Sequence, residues 1–406
     1  MARAKLDHHC NACSIVAFAL LAFAPPCAAW GADPSAKPKS ETGRATERTA
    51  TAADRLELTP PERDRLDRAV DKALEFIASN QREDGSFPTR PGAEPAVTSL
   101  CVMALLSRGH QPGKPPYGDC IDRGIDYVLN VQDKGSGAIM PRGTAQLIYG
   151  NYNHAISALM LCDAYAKTRG KYRDIEANAR RHDRIENAIR QALVYARKDQ
   201  TRPKQQLGAR GGWRYVGRLR PNDSDLSVTA WMVMFYSSAR KTGFVIPKKG
   251  MDDALRFVRR TFDKKQRAFV YALAGDERYC SRATVGAGIL CLVLGGDAAN
   301  PMIPDAAAWI HKNAFEPYNG SRHPEDRYHY SAFYCSQAMA LLSAHDFAMF
   351  YPKLLLVLSH HQQEDGSWDA EAIRGDAVYG NTYTTALAVL ALSPPYQMLD
   401  TYRRGR

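Results

Sequence analysis

Two kinds of hydrophobic pattern alternate along most of the chain. In the first kind, apolar residues recur every three or four positions and leave a charged face, as do Leu66, Val70 and Leu74. This period is typical of an amphipathic helix that packs on one side only. In the second kind, of which 96–107 is an example, the segment is apolar nearly all round. We expect helices of this second kind to be buried on both sides.

Each kind of segment occurs six times, so the pattern predicts six helix pairs. The apolar segments cover 96–107, 154–166, 224–240, 282–294, 331–344 and 383–392. Six pairs with a polar outer helix and an apolar inner helix bury their apolar faces when the pairs close into a ring. The sequence therefore predicts an all-α protein, a single (α/α)6 toroid of six helical hairpins whose parallel inner helices are ringed by outer helices. An open helical solenoid is the alternative.

A glutamine, a glycine and an aromatic residue follow several of the amphipathic helices at constant spacing. The first and last of these sets are Gln81, Gly85, Phe87, Gln362, Gly366 and Trp368. The glycine permits a tight turn, the glutamine amide can bond to free backbone groups, and the aromatic side chain covers the joint. We interpret these six residues as structural.

The string aromatic–aliphatic–x3–Gln–x3–Gly–x–aromatic over Phe76–Phe87 resembles the QW motif of terpenoid cyclases, and Val357–Trp368 repeats it with valine in the first position. From about residue 60 to residue 400 the chain resembles the squalene-cyclase and protein-prenyltransferase α/α-toroid superfamily, in particular its secreted repeat-containing members. Triterpene cyclases of this superfamily place the active site between two toroids. This chain is long enough for one toroid, so a homodimer or a partner chain would have to supply the second wall.

The beginning of the chain has the composition of an export signal. Arg3 and Lys5 precede an apolar stretch, Ser14–Ala24, and small residues follow at Cys27–Ala29. This order predicts a cleaved signal peptide over 1–30 and an exported, periplasmic or extracellular protein. Residues 31–58 are rich in Ala, Thr, Ser, Pro and charge, which predicts a disordered linker. The toroid would then cover 59–400, and 401–406 would form a basic tail.

Composition excludes several classes of protein. Of 406 residues, 45% are hydrophobic, and 54 basic residues against 43 acidic ones give a formal net charge of +11. No apolar run after residue 24 reaches the eighteen residues of a membrane-spanning helix, which excludes a polytopic membrane protein. The basic residues are spread along the chain without a nucleic-acid-binding signature, so we expect no nucleic-acid partner. The basic stretch 169–190 predicts a solvated helix face, with peripheral contact to an anionic membrane as the alternative.

Six cysteines follow the predicted signal peptide: Cys101, Cys120, Cys162, Cys280, Cys291 and Cys335. Most of them lie in apolar helical runs, so we interpret most as buried thiols. The sequence does not determine a pairing among six cysteines.

Parallel inner helices would bring six N-termini, with their free N–H groups, to one rim above an apolar well. Such a rim is a natural anion site, and a polar rim over an apolar well is the usual form of a ligand site. Asp223 and Asp225 resemble part of the Asp-x-Asp-Asp motif with which triterpene cyclases protonate an alkene, although Leu226 replaces the third Asp. The resemblance implies Asp225 as acid and Asp223 as its partner. If the ligand is turned over, we expect His329 or His154 to assist. The alternative is that Asp223 or Ser224 caps the following helix.

Aromatic residues are dense on the predicted inner helices. Those expected to line a ligand cavity are Trp231, Phe235, Tyr330, Phe333, Tyr334 and Tyr383. Aromatic faces can stabilise cations, and aromatic residues on a buried helix can equally be plain core.

We expect no cofactor. A zinc site at Asp276, Cys280 and His329 is the alternative, because these segments loosely resemble the metal ligands of prenyltransferase β subunits. The spacing differs, since three residues separate Asp276 from Cys280 where the family has one.

The sequence thus predicts an exported toroid that binds an apolar, isoprenoid or lipid ligand in its centre, with acid-catalysed chemistry on that ligand as an extension. A non-catalytic scaffold is the second hypothesis, and it predicts a cavity plugged by Trp231 and Phe333. A secreted (α/α)6 carbohydrate-active enzyme is the third, and it predicts a wet cleft with opposed carboxyl groups on different helices.

Overall fold

The computed structural model describes residues 58–141, 143, 145–216, 223–320, 324–372, 376–396 and 398–402, without the side chains of 145–148 and 171. The predicted signal peptide, most of the predicted linker and most of the predicted basic tail lie outside these residues. In the described part there are twelve α-helices: α1 (Pro60–Ser79), α2 (Glu94–Arg108), α3 (Gly118–Val131), α4 (Ala145–Lys167), α5 (Glu176–Gln200), α6 (Leu226–Lys241), α7 (Lys248–Arg260), α8 (Arg282–Gly295), α9 (Met302–Lys312), α10 (Tyr328–Ala340), α11 (Ala344–His360) and α12 (Gly380–Leu392). Strands β1 (Phe262–Asp263) and β2 (Ala268–Phe269) form an antiparallel pair in which Phe262 lies opposite Phe269.

The even-numbered helices form a closed inner ring. In chain order α2, α4, α6, α8, α10 and α12 pack each against the next, and α12 packs back against α2. The odd-numbered helices lie outside them, and α11 packs against α1 across the junction between the last pair and the first. The predicted all-α toroid is therefore confirmed, and the chain is not an open solenoid.

The inner helices run parallel. Residues from the first turns of five of them line one common cavity: Ala96 of α2, Ser227 of α6, Ala283 of α8, Tyr330 of α10 and Tyr383 of α12. Tyr149 and Tyr152, from the first half of α4, line it as well. Since all six helices begin at this cavity, their C-terminal ends meet at the opposite end of the ring.

The two hydrophobic patterns correspond to the two rings. Outer helix α1 buries a single stripe that includes Leu66, Val70 and Leu74, whereas nearly every residue of inner helix α2 is buried. An outer helix packs on one side only, while an inner helix packs against two inner neighbours and an outer one. Burial on several sides leaves few positions where a polar residue can be solvated.

Four glutamines join consecutive outer helices through the same contacts. Each side-chain amide donates one hydrogen bond to a glycine carbonyl in its own turn and one to a carbonyl of the next outer helix. The glycine acceptors are Gly85, Gly137, Gly211 and Gly366, at 2.8–3.1 Å from Gln81, Gln132, Gln200 and Gln362. The helix acceptors are Cys120 in α3, Ala188 in α5, Gly250 in α7 and Ala69 in α1, at 2.8–3.0 Å.

The aromatic residue after three of these turns is fastened to an inner helix. The N–H groups of Phe87, Trp213 and Trp368 donate to the hydroxyls of Thr98, Thr229 and Thr385. All three rings are fully buried. A threonine in an otherwise apolar inner helix therefore satisfies a backbone donor that would be buried without a partner.

All six inner helices differ somewhat from the predicted boundaries, and the largest differences are at α4 and α10. Helix α4 begins at Ala145, nine residues before the predicted start. The prediction missed its first turns because Asn151, Tyr152 and their neighbours have polar side chains, which interrupt the apolar pattern. Helix α10 ends at Ala340, because Ser343 accepts the N–H of Asp346 and starts α11. The apolar pair Leu341-Leu342, which extended the predicted segment to 344, is the connection between them.

The remaining predictions about the ring concern thiols and charge. All six described cysteines are buried free thiols, as predicted for most of them. In the basic stretch, Arg181 pairs with Asp126 at 2.8 Å and Arg190 with Glu186 at 2.7 Å, and similar pairs involve Arg173, Arg180 and Arg184. Matched charges favour a solvated helix face over an uncompensated basic patch. Among the described helices, none combines the length and apolarity needed to cross a membrane.

Candidate functional site

A cavity of about 480 Å³ opens at the end of the ring where the inner helices begin. Its volume is typical of small-molecule sites. Among the described residues, nine tyrosines line it: Tyr149, Tyr152, Tyr215, Tyr271, Tyr279, Tyr330, Tyr334, Tyr379 and Tyr383. A tyrosine presents an apolar ring and a hydroxyl, so the wall offers flat aromatic faces with polar tips.

Small and aliphatic side chains from several inner helices make up the apolar part of the lining: Ala96, Val97 and Leu100 from α2, Ile156 from α4, and, across the ring, Ala283 and Ala287 from α8. Small residues at these positions leave the space that the cavity occupies. These apolar surfaces suit a hydrocarbon ligand.

Polar groups of the cavity wall bond to one another. The Tyr152 hydroxyl donates to Ser227 Oγ at 2.9 Å, and Ser227 Oγ lies 2.7 Å from the Tyr330 hydroxyl. The Trp231 indole N–H donates to the Tyr330 hydroxyl at 2.8 Å. Nearer the mouth, the Tyr215 and Tyr271 hydroxyls are 3.0 Å apart. These contacts satisfy much of the hydrogen-bonding capacity of the wall from within the protein.

Four carboxylates stand at the mouth, on three separate segments: Asp276, Glu277, Glu325 and Asp376. Arg327 bridges two of these segments, since it pairs with Glu325 at 2.8 Å and with Asp376 at 2.7 Å. Burial raises the pKa of Asp376 despite the opposing effect of Arg327. Glu277 accepts a hydrogen bond from Arg214 at 2.7 Å.

Asp225, the predicted acid, lies behind the cavity wall. It is fully buried, and its Oδ1 accepts the N–H of Val228 at 2.8 Å, so it is the N-cap of α6. Its Oδ2 lies 3.7 Å from Nη1 of Arg214, which is itself 6% exposed. Burial raises the pKa of Asp225 to about 6, against the lowering effect of Arg214.

Arg214 connects this aspartate to the lining. Its guanidinium lies 5.0 Å from the ring centre of Tyr215 and 5.8 Å from that of Tyr271, and both rings face the cavity. Neither Nη1 of Arg214 nor Oδ2 of Asp225 has a hydrogen-bond partner. The pair is therefore held by charge alone at this contact, in a setting of low polarity.

Asp223, the predicted partner of Asp225, points elsewhere. Its carboxylate accepts the backbone N–H groups of Gln205 and Gln206, and its carbonyl oxygen accepts a hydrogen bond from Lys204. Asp223 therefore fastens the loop after α5. The structure does not bring the two aspartates together as a carboxyl pair.

The predicted anion rim is already satisfied by the protein's own side chains. Asn153 accepts the Ala96 N–H at the start of α2, and Ser281 accepts the Thr284 N–H at the start of α8. Helix α6 has Asp225 as its cap. Because these side chains occupy N–H groups at three helix N-termini, little donor capacity is left there for an anionic ligand.

Glu371 caps α10 from the loop between α11 and α12. Its carboxylate accepts the N–H groups of Tyr328 and His329 at 2.8 Å and of Tyr330 at 3.2 Å. Burial alone would raise the pKa of Glu371, but His329 and the N–H groups of Tyr330 and Tyr328 outweigh it and hold the pKa below its ordinary value.

The two predicted histidines lie in the core. His329 is fully buried, with Nδ1 3.6 Å from Glu371 and Nε2 3.3 Å from the Tyr318 hydroxyl. His154 Nδ1 accepts the Ile139 N–H at 3.2 Å, and burial lowers the pKa of His154 to about 3. Neither ring is part of the cavity lining.

Of the aromatic residues expected at the cavity, Trp231, Tyr330, Tyr334 and Tyr383 line it, whereas Phe235 and Phe333 do not. Phe333 stacks on the far side of Trp231, with ring centres 5.3 Å apart. Trp231 therefore forms part of the cavity floor with Phe333 packed behind it, and the two rings do not plug the cavity.

The alternative zinc ligands are not assembled. Asp276 is exposed, Cys280 is buried before α8, and His329 is in contact with Glu371. Within the described part of the chain, no three His, Cys, Asp or Glu side chains converge as metal ligands.

Sequence reasoning missed the residues that the inter-helix segments contribute. Four of them lie in segments that lead into an inner helix: Arg214, Tyr215, Tyr271 and Tyr279. The fifth, Glu371, lies after α11 and caps the preceding inner helix, α10. The sequence feature that could have identified them is their position close to the start of an inner helix. In a toroid with parallel inner helices, every such segment passes the same rim.

Comparison with protein-family models and with curated proteins finds no match. Among solved structures, the chain is similar to type II terpene cyclase MstE from Scytonema in complex with geranylgeranyl dihydroxybenzoate, with a TM-score of 0.56 and 16% identity over 84% of this chain and 100% of that chain. A glycosidase in complex with glucose matches with a TM-score of 0.56 and 13% identity over the same shares. At these identities the likeness shows the fold, an α/α toroid, as predicted from the sequence.

Proposed function

We propose that this chain is an exported toroid that holds an apolar ligand, isoprenoid or lipid in chemistry, in its central cavity. The proposal is supported most directly by the hydrogen bonds among the polar groups of the wall. A hydrocarbon that covers Tyr152, Ser227, Tyr330 and Trp231 leaves their mutual hydrogen bonds intact. A buried polar group without a partner would cost about 1–3 kcal/mol, and this ligand avoids that cost.

The aliphatic wall and the aromatic faces supply the attraction. Each Å² of apolar ligand surface removed from water contributes roughly 25 cal/mol. A prenyl chain is both apolar and slender, so it suits a cavity lined by aliphatic side chains and aromatic rings. Among the structural neighbours, MstE holds a geranylgeranyl compound on the same fold.

The first experiment is mass spectrometry of an organic extract of the purified protein, before and after incubation with squalene and polyprenols. A stoichiometric isoprenoid or lipid supports the proposal. An empty extract in both cases contradicts it and leaves the scaffold hypothesis.

A cavity-filling variant tests the location. Ala283 is 7% exposed and lines the cavity, so Ala283→Phe should lower the affinity for a bound polyprenol at least tenfold, as measured by quenching of tryptophan fluorescence. Ala177→Phe on the exposed face of α5 is the matched control and should bind as the unaltered chain does. Equal affinities in the two variants would mean that the ligand binds outside the cavity.

Acid catalysis on the ligand is the finer form of the proposal, with Asp225 as the proton source. Burial raises the pKa of this carboxyl, which keeps part of it protonated near neutral pH. If an extract from protein incubated with an acyclic polyprene contains a cyclised product, Asp225→Asn should abolish that product and retain binding. Product formation by Asp225→Asn would exclude Asp225 as the acid.

A carbohydrate-active enzyme is the second candidate, because carboxylates on separate segments meet at the mouth and a glycosidase has the same fold. Two of those carboxylates share Arg327, and Glu277 pairs with Arg214. Glycan hydrolysis that is lost in Glu277→Gln and retained in Asp225→Asn would establish this candidate over the first.

A further inference from the structure

The segment 398–402 enters the ring at the end opposite the cavity mouth. Leu399 is 3% exposed and Thr401 is fully buried, so the backbone itself passes between the inner helices. It packs against α4 and α6 near their C-terminal ends. We refer to Leu399–Tyr402 as the closing segment.

Three polar side chains hold Thr401. Asp163 of α4 accepts both its N–H, at 3.1 Å, and its hydroxyl, at 2.9 Å. Ser238 of α6 lies 3.0 Å from the same hydroxyl, and Lys241 of α6 donates to the Thr401 carbonyl at 2.6 Å. Every polar group of Thr401 is thus bonded to an inner helix.

An aromatic column connects the closing segment to the cavity. Tyr402 lies with its ring centre 6.4 Å from that of Phe333, edge to face, and Phe333 stacks on Trp231. Trp231 is part of the cavity lining. The closing segment therefore supports the cavity floor from below.

We infer that the closing segment is a pH-sensitive latch on the base of the ring, which Asp163 holds in place when it is protonated and releases when it is ionised. The inference does not depend on which ligand the cavity binds. The proton that Asp163 takes up on closure comes from solvent, and no bond other than O–H forms or breaks.

The burial of Asp163 and the charged groups around it determine how its protonation responds to pH. The charged or titratable groups that face it are Lys167, Lys241, Asp400, Tyr402 and the neighbouring thiol of Cys162. Burial raises the pKa of Asp163 to about 7 despite its hydrogen bonds to Thr401. Burial also lowers the pKa of Lys241 to about 8.

Proton linkage determines whether closure of the segment strengthens or weakens as the pH rises. When the segment leaves, Asp163 meets water and its pKa returns towards the ordinary value near 3.8. Closure therefore binds a proton between these two values, so closure is strongest in acid and weakens as the pH rises towards 7. Lys241 changes its charge above this range, so it leaves the trend below pH 7 unaltered.

Hydrogen exchange at the Thr401 amide measures the opening directly. After correction for the intrinsic exchange rate, we expect its protection factor to fall roughly ten- to a hundredfold between pH 5 and pH 7.5. Amides in the middle of α8 serve as the internal reference, because they do not contact the segment. A protection factor at Thr401 that follows the reference at every pH would overturn the inference.

Two isosteric variants separate the latch from general stability. Asp163→Asn should keep Thr401 protected at both pH values, because the amide cannot ionise. Asp400→Asn, which removes a neighbouring carboxylate that raises the pKa of Asp163, should weaken the pH dependence without abolishing it. Thr401→Val removes the hydroxyl without touching a helix and should lower protection of the segment alone. The same pH dependence in Asp163→Asn as in the unaltered chain would exclude Asp163 as the switch.

Discussion

Two buried aspartates show how partners decide what one residue type does. Asp225 and Asp163 are both fully buried on or beside inner helices, and burial raises the pKa of each. Asp225 has Arg214 beside it and caps α6, whereas Asp163 accepts its hydrogen bonds from the neutral N–H and hydroxyl of Thr401. Neutral donors stabilise a carboxylate less than an adjacent cation does, which fits the higher pKa of Asp163, about 7 against about 6 for Asp225.

The pKa of Asp225 predicts a pH dependence of stability. Since its pKa in the folded protein is above the ordinary value of 3.8, ionisation opposes folding, and this cost grows as the pH rises from about 4 through 6. In Asp225→Asn that component disappears. The free energy of unfolding of the variant, relative to the unaltered chain, should therefore increase by up to about 3 kcal/mol between pH 4 and pH 7.

Urea denaturation at the two pH values measures this difference. Asp64→Asn, at an exposed ion pair with Arg68, is the control, and its relative stability should change little with pH. A constant difference between Asp225→Asn and the unaltered chain would mean that Asp225 stays ionised throughout, held by Arg214.

The sequence placed Asp225 in the first turn of a predicted inner helix, with Asp223 or Ser224 as its cap, whereas the cap is Asp225 itself. The sequence could not predict Arg214 as the partner of Asp225 or Glu277 as the other carboxylate on that arginine. These residues lie in separate loops, and only the closed ring brings the loops together. Loop residues carry no periodic signal, so three tyrosines of the cavity wall were equally hidden: Tyr215, Tyr271 and Tyr279. The tyrosines of the inner helices α10 and α12 were predicted, because they lie in or directly before apolar runs.

At the scale of elements, the glutamine–glycine turns are the joints of the ring. Gly366 has φ of +92°, and a β-carbon at this position would overlap the carbonyl oxygen of Lys72 in α1. The turn after α11 therefore approaches the backbone of α1 more closely than any side chain allows. Gly296, at the end of α8, has φ of +97° with nothing within 4 Å.

This pair of glycines separates backbone strain from steric overlap. Gly296→Ala should lower the free energy of unfolding by about 1 kcal/mol, from the left-handed φ alone. Gly366→Ala should cost roughly 2–4 kcal/mol, because the overlap with α1 forces the joint apart in addition. Thermal and chemical denaturation of the two variants measure the difference. Equal losses in the free energy of unfolding would show that the turn after α11 can move away from α1 without cost.

At the scale of the molecule, closure of the ring was predictable because it is a matter of counting. Six segments with polar outer and apolar inner members leave no apolar face uncovered only when the last pair meets the first. The positions where α4 begins and α10 ends were not predictable from periodicity. Polar residues inside α4 serve the cavity and the hydrogen bonds around it, and they interrupt the hydrophobic pattern for that reason.

A closed ring has no weak end, and this can be tested with two equivalent glutamines. Gln362 joins α11 to α1 across the junction of the chain's first and last helix pairs, and Gln132 makes the same two bonds between α3 and α5 in mid-chain. Both side chains are half-buried. Replacement by alanine removes two hydrogen bonds in each case, worth about 1–2 kcal/mol.

In the closed ring, Gln362→Ala and Gln132→Ala should lower the amide protection of the outer helix that each glutamine holds, α1 or α5, by a similar factor of about five to thirty. Hydrogen exchange resolved by helix measures both. In an open solenoid α1 does not meet α11, so Gln362→Ala would leave the protection of α1 unchanged. Unchanged protection of α1 in Gln362→Ala, together with a loss at α5 in Gln132→Ala, would therefore show that the junction is not closed in solution. Comparable losses at the two joints would show that packing of α12 against α2 holds the first and last pairs as firmly as chain connectivity holds the others.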